Sequence, residues 1–282
     1  MSVKAKVYRV TPKLATEWLA KNENNRPLSA TAVARFARDM DDGQWQMNGQ
    51  PIVFNGDSLI DGQHRLSAVV KHGKPVDMLV VSGVDTSAFR TIDSGRPRSF
   101  SNVLAVRGER EYARLGSAVG LLNLYLCSVK EGGAFLRSNG YATPTKSELL
   151  TTLEAHPGIR DSLAYVASVT PKSQRKIISP PTAAFLHYVL SQKDKQVADK
   201  FMADVCSGDG VKIGSPAGLL RARLVEDATS ARLGHRMDRR LVVYFAFRAW
   251  NALRTKERLT RLLPPKSASG GGRTSVTLPD LV

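Results

Sequence analysis

The chain has 282 residues, of which 42% are hydrophobic and 23% are charged, a balance typical of a globular protein with a sizeable core. No stretch approaches the roughly 18 apolar residues that a membrane-spanning helix needs, and residues 1–6 lack the apolar segment of a secretory signal. We therefore expect no membrane partner. The net charge of +16 favours a polyanion instead, because each neutralised phosphate releases condensed counterions.

The positive charge is concentrated after residue 100. Residues 1–100 hold 14 Lys/Arg against 10 Asp/Glu, whereas the rest of the chain holds 27 against 15. This clustering favours contact with nucleic acid over a merely solvated basic surface. The two cysteines, Cys127 and Cys206, lie too far apart for a zinc-ligand spacing or a disulfide framework, and they suit a reducing cytoplasm.

Strands and helices alternate in the first hundred residues, which predicts a small mixed sheet. Ser29 is a typical helix N-cap, and the turn Asn55-Gly56-Asp57 is typical of a hairpin. The predicted elements are a strand over 3–10, a helix over 11–21, a helix over 29–40, a hairpin of strands 51–54 and 58–61, a helix over 62–72 and a strand over 76–81.

From residue 101 onward the apolar spacing is almost wholly helical. Thr145-Lys146-Ser147-Glu148 is a capping box, and Leu241 to Phe247 is the one helical prediction whose residue types also suit a strand. Residues 266–282 open with a Gly/Ser-rich stretch and predict a flexible tail. The principal predicted helices cover residues 109–129, 181–192, 195–206, 216–233 and 237–257.

The motif Asp61-Gly62-Gln63-His64-Arg65 joins the end of a predicted strand to the start of a helix. Backbone N–H groups and the positive end of the dipole make a helix start an anion site, and Gly62 lets a phosphate approach closely. Arg65 can make forked hydrogen bonds to phosphate oxygens, and His64 can donate or shuttle a proton. The motif predicts a phosphate site; the alternative is a polar helix start whose side chains are solvated.

A second segment, Thr91-Ile92-Asp93-Ser94-Gly95-Arg96-Pro97-Arg98-Ser99, has a glycine in a loop between two hydroxyls and two arginines. This arrangement suits contact with a phosphate or a DNA backbone, although an ordinary interdomain linker carries similar surface charge. We assign Ser94 and Arg96 to nucleotide binding and Arg98 to nucleic acid. The chain has no P-loop, H-E-x-x-H, GxSxG or His/Cys metal-binding pattern.

The helical half contains two candidate DNA-contacting regions. Residues 145–165 form a helix, the turn His156-Pro157-Gly158 and a second helix, which fits a helix-turn-helix and equally a generic helix pair. The stronger basic cluster lies between residues 221 and 261, with aromatic residues that we expect in the core. It predicts a sequence-independent phosphate-contacting surface that includes Arg236, Arg239 and Arg240.

The motif at residues 61–65 resembles the DGxHR-type signature of the ParB/sulfiredoxin superfamily. Two further stretches agree in order and spacing: Asn25-Arg26-Pro27 is similar to the family's nucleotide-contacting segment, and Gly49-Gln50-Pro51-Ile52-Val53 to the strand beside the phosphate motif. The resemblance covers residues 5–95. It implies a small mixed sheet that binds a nucleoside triphosphate with Mg²⁺, and an origin among phages and plasmids.

Departures from the family pattern narrow the function. Gln63 stands where sulfiredoxins have their reactive Cys, and a carboxamide cannot replace a thiol nucleophile, so sulfiredoxin chemistry is excluded. Partition proteins have Glu-Arg where this chain has Gln63-His64, which leaves both ATP and CTP open. Kinase-like members with His-Arg need a general base, for which Glu23, Asp57 and Asp61 are the local candidates. For Asp61, metal or water positioning and capping of the helix both stay open.

We therefore predict an α+β protein with a ParB/sulfiredoxin-like nucleotide-binding domain over 1–100, a basic all-α domain over 101–265 and a flexible tail over 266–282. The expected function is binding and hydrolysis of ATP or CTP with Mg²⁺ by a cytoplasmic, DNA-acting protein of a bacterial or phage-infected cell, with a homodimer left open. A phosphotransferase acting on a small molecule or modified base is one alternative. A non-catalytic DNA-binding adaptor is another, against which retention of His64 and Arg65 argues. The candidate catalytic residues are Asp61, His64 and Arg65, and the candidate cofactor-binding residues are Arg26, Gln50, Gly62, Gln63, His64, Arg65, Ser94 and Arg96.

Overall fold

The strands of the protein follow from alternating side chains, and its helices begin at capping residues. The structure is a computed structural model that describes residues 2–22, 25, 27–85, 99–130, 143–231, 237–265 and 276–282. The chain divides into two units, residues 1–98 with 142–147 and residues 99–141 with 148–282. The first unit combines strands with helices, whereas the described elements of the second are helical. The predicted mixture of a small sheet and many helices is confirmed at this level.

The sheet of the first unit has four strands in the order β1-β4-β2-β3. Strand β1 pairs antiparallel with β4, β4 pairs parallel with β2, and β2 pairs antiparallel with β3. The sheet is therefore mixed, as the sequence predicts. Its strands are β1 (Lys4–Val10), β2 (Ile52–Asn55), β3 (Ser58–Asp61) and β4 (Val76–Ser82).

Three helices cover one face of this sheet: α1 (Pro12–Leu19), α2 (Ala30–Asp41) and α3 (Gln63–His72). On β4 the buried Val76, Met78 and Val80 alternate with more exposed neighbours, so one face of the strand points into the core. The helices contribute apolar side chains to the same core. This packing holds the start of α3 against the first residue of β2 and the end of β3.

The second unit is built around α8, whose residues 182–190 are all buried. Residues 241–247 are helical, which settles the one segment whose composition also suited a strand. The α-helices carried by this half of the chain are α4 (Phe100–Val106), α5 (Tyr112–Lys130), α6 (Lys146–Ala155), α7 (Ile159–Val169), α8 (Pro180–Ser191), α9 (Lys195–Ser207), α10 (Pro216–Ser230) and α11 (Arg239–Thr255). In none of the described ranges is a helix long and apolar enough to cross a membrane.

The last residues of the chain return to α11. Trp250 Nε1 donates a hydrogen bond to the Val282 carbonyl at 2.9 Å, and Asn251 Nδ2 donates to the Asp280 carbonyl at 2.6 Å. Val276 is buried, and Leu278 and Leu281 pack against the helical core. The prediction of a flexible tail over 266–282 is therefore wrong for residues 276–282, because their apolar side chains find a binding surface on the protein. Residues 266–275 lie outside the described residues.

Candidate phosphate-binding site

Gly62 forms the turn between β3 and α3. Its φ of 108° lies in the left-handed region that side chains disfavour, and an added Cβ would lie 2.4 Å from Ile52 Cδ1 and 3.3 Å from Ile52 Cα. Both the backbone conformation and the close packing on β2 therefore require glycine here. The sequence predicted the sharp turn; the contact with Ile52 is visible only in the fold.

A cavity of about 290 Å³ opens at this turn. Two helix starts border it, because Ser29 caps α2 and Gly62 precedes α3. The Ser29 hydroxyl accepts a hydrogen bond from Ala32 N–H at 3.3 Å, as its predicted N-cap role requires. The residues that line the cavity are Pro27, Ser29, Ala32, Arg35, Phe36, Gln50, Asp61, Gly62, His64 and Arg65.

Arg65 ties the start of α3 to the chain that leads into β2. Its guanidinium donates to the carbonyl oxygens of Gln50 and Pro51, the latter at 2.8 Å, and to Asp61 Oδ2 at 2.9 Å. The side chain is 10% exposed, so the alternative of a solvated arginine is wrong. The guanidinium therefore positions the walls of the cavity. Burial of its positive charge requires a negatively charged partner, which is Asp61.

His64 joins the two helix starts. Its Nε2 accepts a hydrogen bond from the backbone N–H of Ser29 at 3.0 Å. An accepting Nε2 means that the proton of the neutral ring is on Nδ1. In this arrangement His64 is a buried connection between α3 and the cap of α2, and its Nε2 is not a proton donor.

The side chain of Gln63 belongs to a polar network rather than to the lining of the cavity. Its Oε1 accepts from Asn22 Nδ2 at 2.9 Å. Asn25 Nδ2 in turn donates to Asn22 Oδ1 at 2.6 Å and to the Leu59 carbonyl at 2.8 Å. Gln63 and Asn25 thus hold the turn after α1 against β3, which places Pro27 beside the cavity.

Five lining residues were absent from the sequence-derived site, namely Pro27, Ser29, Ala32, Arg35 and Phe36. Arg35 brings a positive charge to the cavity, and its guanidinium lies 5.3 Å from the ring centre of Phe36. None of the sequence motifs that define the predicted site includes Arg35 or Phe36. A signal was present nevertheless, because positions 29, 32 and 35 or 36 share one side of a helix that begins at a capping serine.

The candidate general bases separate in the structure. Asp61 lines the cavity, whereas Asp57 is exposed at the β2–β3 turn and pairs with Lys21 at 2.7 Å. The hydrogen bond and charge of Lys21 lower the pKa of Asp57. Glu23 lies outside the described residues. Asp61 is thus the acidic side chain that the described structure brings to this cavity.

A protein-only metal site is not formed by the described residues, since no three or more His, Cys, Asp or Glu side chains converge there. Mg²⁺ in nucleotide sites is typically held by one or two carboxylates together with phosphate oxygens. Asp61 fits that donor set only as one ligand of a metal ion that phosphates bring with them. Its ion pair with Arg65 would then have to loosen.

The structure does not describe all of the residues that were predicted to bind the nucleotide or nucleic acid. Arg26, Ser94, Arg96, Arg98 and Arg236 lie outside the described residues. Arg240 pairs with the N-cap Asp238, whose hydrogen bond raises the pKa of the arginine. Arg239 is exposed in the first turn of α11 and lines a separate cavity of about 300 Å³.

Local ion pairs occupy much of the basic cluster in the helical half. Arg254 pairs with Asp194 at 2.7 Å, Arg248 with Glu257 at 3.2 Å and Arg223 with Glu226 at 3.3 Å. Arg221 donates to the Val205 carbonyl at 2.7 Å. These pairings reduce the charge that α10 and α11 can offer to phosphates.

The two helices of the candidate helix-turn-helix, α6 and α7, lack a basic recognition face in the described structure. Arg160 of α7 donates to Glu109 at 3.0 Å. The exposed positions of α7 are Asp161, Ala164, Ala167 and Ser168. These side chains favour the interpretation as a generic helix pair.

Comparisons of the chain with protein-family models, with curated proteins and with solved structures gave no match. The residues around the cavity are therefore the basis for a function. Of the sequence-derived site, Gln50, Asp61, Gly62, His64 and Arg65 come together there, whereas the Gln63 side chain is directed to Asn22.

Proposed function

We propose that the chain is a ParB-like protein that binds a nucleoside triphosphate at the cavity between α2 and α3 and acts on DNA. One observation carries the proposal: two helix starts and the side chain of Arg35 border the same cavity, next to a glycine that the fold requires. Helix starts present N–H donors and a positive dipole end to anions, which matches the charge of phosphates.

The size of the cavity indicates which part of the ligand it accepts. About 290 Å³ is at the lower limit of the roughly 300–1,000 Å³ that small-molecule sites occupy. Phosphate groups therefore fit inside better than a complete nucleotide. Arg35 contacts the phosphates in this proposal, while Arg65 and His64 hold the two helix starts in place and Asp61 positions water or a phosphate-bound Mg²⁺.

Support for action on DNA comes from the start of α11. Arg239 is exposed in the first helical turn, where a positive charge is opposed by the helix dipole. A positive charge at this position is unfavourable for the isolated helix. An anionic partner that binds there explains why the arginine is present. The local ion pairs of neighbouring arginines restrict this contact to few phosphates.

A non-catalytic adaptor is the second candidate, and the contacts of His64 and Arg65 favour it. Both residues are buried and hydrogen-bonded within the protein. Their presence is therefore explained by the fold alone, and it no longer argues against a protein without turnover. A phosphotransferase depends on Asp61 as base, and its ion pair with Arg65 disfavours that role.

The test is binding and turnover of labelled ATP and CTP with Mg²⁺, with and without DNA. Arg35→Ala is the informative variant, because Arg35 lines the cavity on the surface of α2. We expect it to weaken binding by about tenfold, the loss of one charge-assisted contact to phosphate. Arg9→Ala is the matched control, since Arg9 is exposed on β1 and pairs with Asp77.

The outcomes separate the candidates. Turnover stimulated by DNA supports the proposal, and label moved onto an acceptor establishes a phosphotransferase. If the wild-type chain binds neither nucleotide, the non-catalytic adaptor is the remaining candidate. Equal weakening by Arg35→Ala and Arg9→Ala would place the nucleotide elsewhere.

A further inference from the structure

A second, larger depression lies on the sheet of the first unit. It is an open groove of about 600 Å³, here called the sheet groove. It lies beyond the C-terminal end of α1, on the face to which Val80 and Ser82 of β4 point. The residues that line it are Lys4, Ala5, Lys6, Tyr8, Trp18, Lys21, Phe54, Gly56, Val80 and Ser82.

Strand periodicity places its basic and aromatic side chains together. Lys4, Lys6 and Tyr8 are two residues apart on β1 and therefore point to the same face. The pairing of Lys4 with Ser82 and of Lys6 with Val80 puts that face over the groove. Lys21 adds a third positive charge from the end of α1.

Aromatic rings form a continuous series along the groove. Tyr8 and Trp18 pack edge to face with ring centres 5.6 Å apart, and Trp18 and Phe54 do so at 5.4 Å. Phe54 is buried, whereas Tyr8 remains 38% exposed. The ring of Tyr8 is thus supported from below by the core and accessible at its surface.

The charged side chains that line the groove are all positive. None of the described residues that line it is acidic, and Asp57, which pairs with Lys21 at 2.7 Å, lies at its rim. The Nζ of Lys6 lies 5.3 Å from the ring centre of Tyr8, so cation and ring already adjoin. Lysines that follow a groove beside accessible aromatic rings are the combination that binds single strands.

We propose that the sheet groove binds single-stranded nucleic acid. Lys4 and Lys6 contact successive phosphates, and an unpaired base stacks on Tyr8. A duplex fits this chemistry poorly, because its bases are stacked on each other and are not accessible to the ring. The site shares no lining residue with the cavity between α2 and α3, so it stands or falls independently of the triphosphate proposal.

The lysines alone have a simpler structural explanation, which is protection of the edge of the sheet. β1 is an edge strand, and charged side chains on edge strands prevent pairing with other chains. That explanation does not require an exposed tyrosine between the lysines and Trp18. It predicts a protein whose affinity for single strands is insensitive to these residues.

The experiment measures fluorescence anisotropy of a labelled oligothymidine of about 12 nucleotides, within the span that single-strand sites cover. An oligouridine of the same length, a duplex and an acidic peptide are measured in parallel with the full chain. We expect Lys4→Ala/Lys6→Ala to reduce the slope of log affinity against log salt by roughly 1.4, from two lost phosphate contacts on a single strand. Lys71→Ala/Lys74→Ala removes the same charge from exposed positions outside the groove.

Stacking is tested by a pair of changes at Tyr8. Tyr8→Leu keeps an apolar side chain but removes the ring, and we expect at least about fivefold weaker binding of the single strand. Tyr8→Phe keeps the ring and should bind within about twofold of the wild type. Equal effects of the groove and control lysine pairs, or equal loss of duplex binding in Tyr8→Leu, would overturn the proposal. Preference for the acidic peptide would assign the groove to a protein partner.

Discussion

At Arg65, one side chain connects the start of α3 to the segment that leads into β2 and to the last residue of β3. Its donors satisfy the carbonyls of Gln50 and Pro51 and the carboxylate of Asp61. Only a planar guanidinium reaches all three at once, because a lysine ammonium offers a single point of charge. The residue acts on the candidate site by holding its walls together.

This geometry predicts that Arg65→Lys keeps the positive charge but loses the forked set of N–H donors. Because buried carbonyls are then left without donors, we expect a loss of about 2–4 kcal/mol in the stability of the first unit. Urea-dependent hydrogen exchange of the α3 amides measures that loss. Arg9→Lys is the control, because the side chains of Arg9 and its partner Asp77 are 68% and 53% exposed. It should change stability by less than about 1 kcal/mol. Equal effects at both positions would contradict the positioning role of Arg65.

At the scale of elements, α8 and α9 are joined by a buried histidine. His187 Nε2 contacts Asp199 Oδ1 at 2.8 Å, and its ring stacks on Tyr165 with centres 4.5 Å apart. Nδ1 has no hydrogen-bond partner in the described part of the chain. Burial lowers the pKa of His187, although the neighbouring Asp199 acts in the opposite direction. The ring is therefore neutral in the folded protein near neutral pH.

The direction of this shift predicts how stability depends on pH. Below the ordinary histidine pKa of 6.5 the unfolded chain takes up a proton that the folded protein does not, so stability falls as the solution becomes more acidic. The slope attributable to His187 is at most about 1.4 kcal/mol for each pH unit. Urea unfolding of wild type and His187→Gln between about pH 7.5 and 5 measures it. Glutamine keeps a donor for Asp199 and does not titrate, so parallel profiles of the two proteins would contradict the prediction.

Over the whole molecule, the 41 lysines and arginines overstate the number of side chains that are available to contact phosphates. Arginines that the sequence counted toward a DNA-binding surface form local ion pairs, such as Arg254 with Asp194 and Arg240 with Asp238. Of the three arginines named for that surface, Arg236, Arg239 and Arg240, Arg239 is the one that the structure describes as exposed. The electrostatic contribution to DNA binding should therefore come from a small number of positions.

Salt dependence tests this distinction. For duplex DNA, each lost phosphate contact reduces the slope of log affinity against log salt by about 0.9. We expect that change from Arg239→Ala and none from Arg254→Ala, since the second arginine already neutralises Asp194. Filter binding between about 50 and 200 mM salt measures both slopes. A duplex affinity that does not fall with salt would contradict a phosphate-contacting surface altogether.

Local patterns predicted most of the elements, and particular residues show why. Ser29 was recognised as the cap of α2 and Gly62 as the turn before α3, because capping and left-handed backbone depend on adjacent residues. The tail over 276–282 was missed, since Val276, Leu278 and Leu281 become core residues only when α11 provides a surface. The role of Gln63 was missed for the same reason, as its partner Asn22 belongs to a different element.

By itself, the sequence determined the mixed sheet followed by helices, the glycine turn at residue 62 and the helix start beside it. Periods of 2 and 3.6 residues and the chemistry of turns are properties of short segments, so they can be deduced without a fold. The fold was needed to show that His64 accepts from the Ser29 backbone, that Arg65 is internally bonded and that the lysines of β1 line one groove with Trp18. The partner of a polar side chain is set by packing between distant segments. That packing changed the interpretation of Arg65 from a phosphate ligand to a residue that holds the walls of the cavity together.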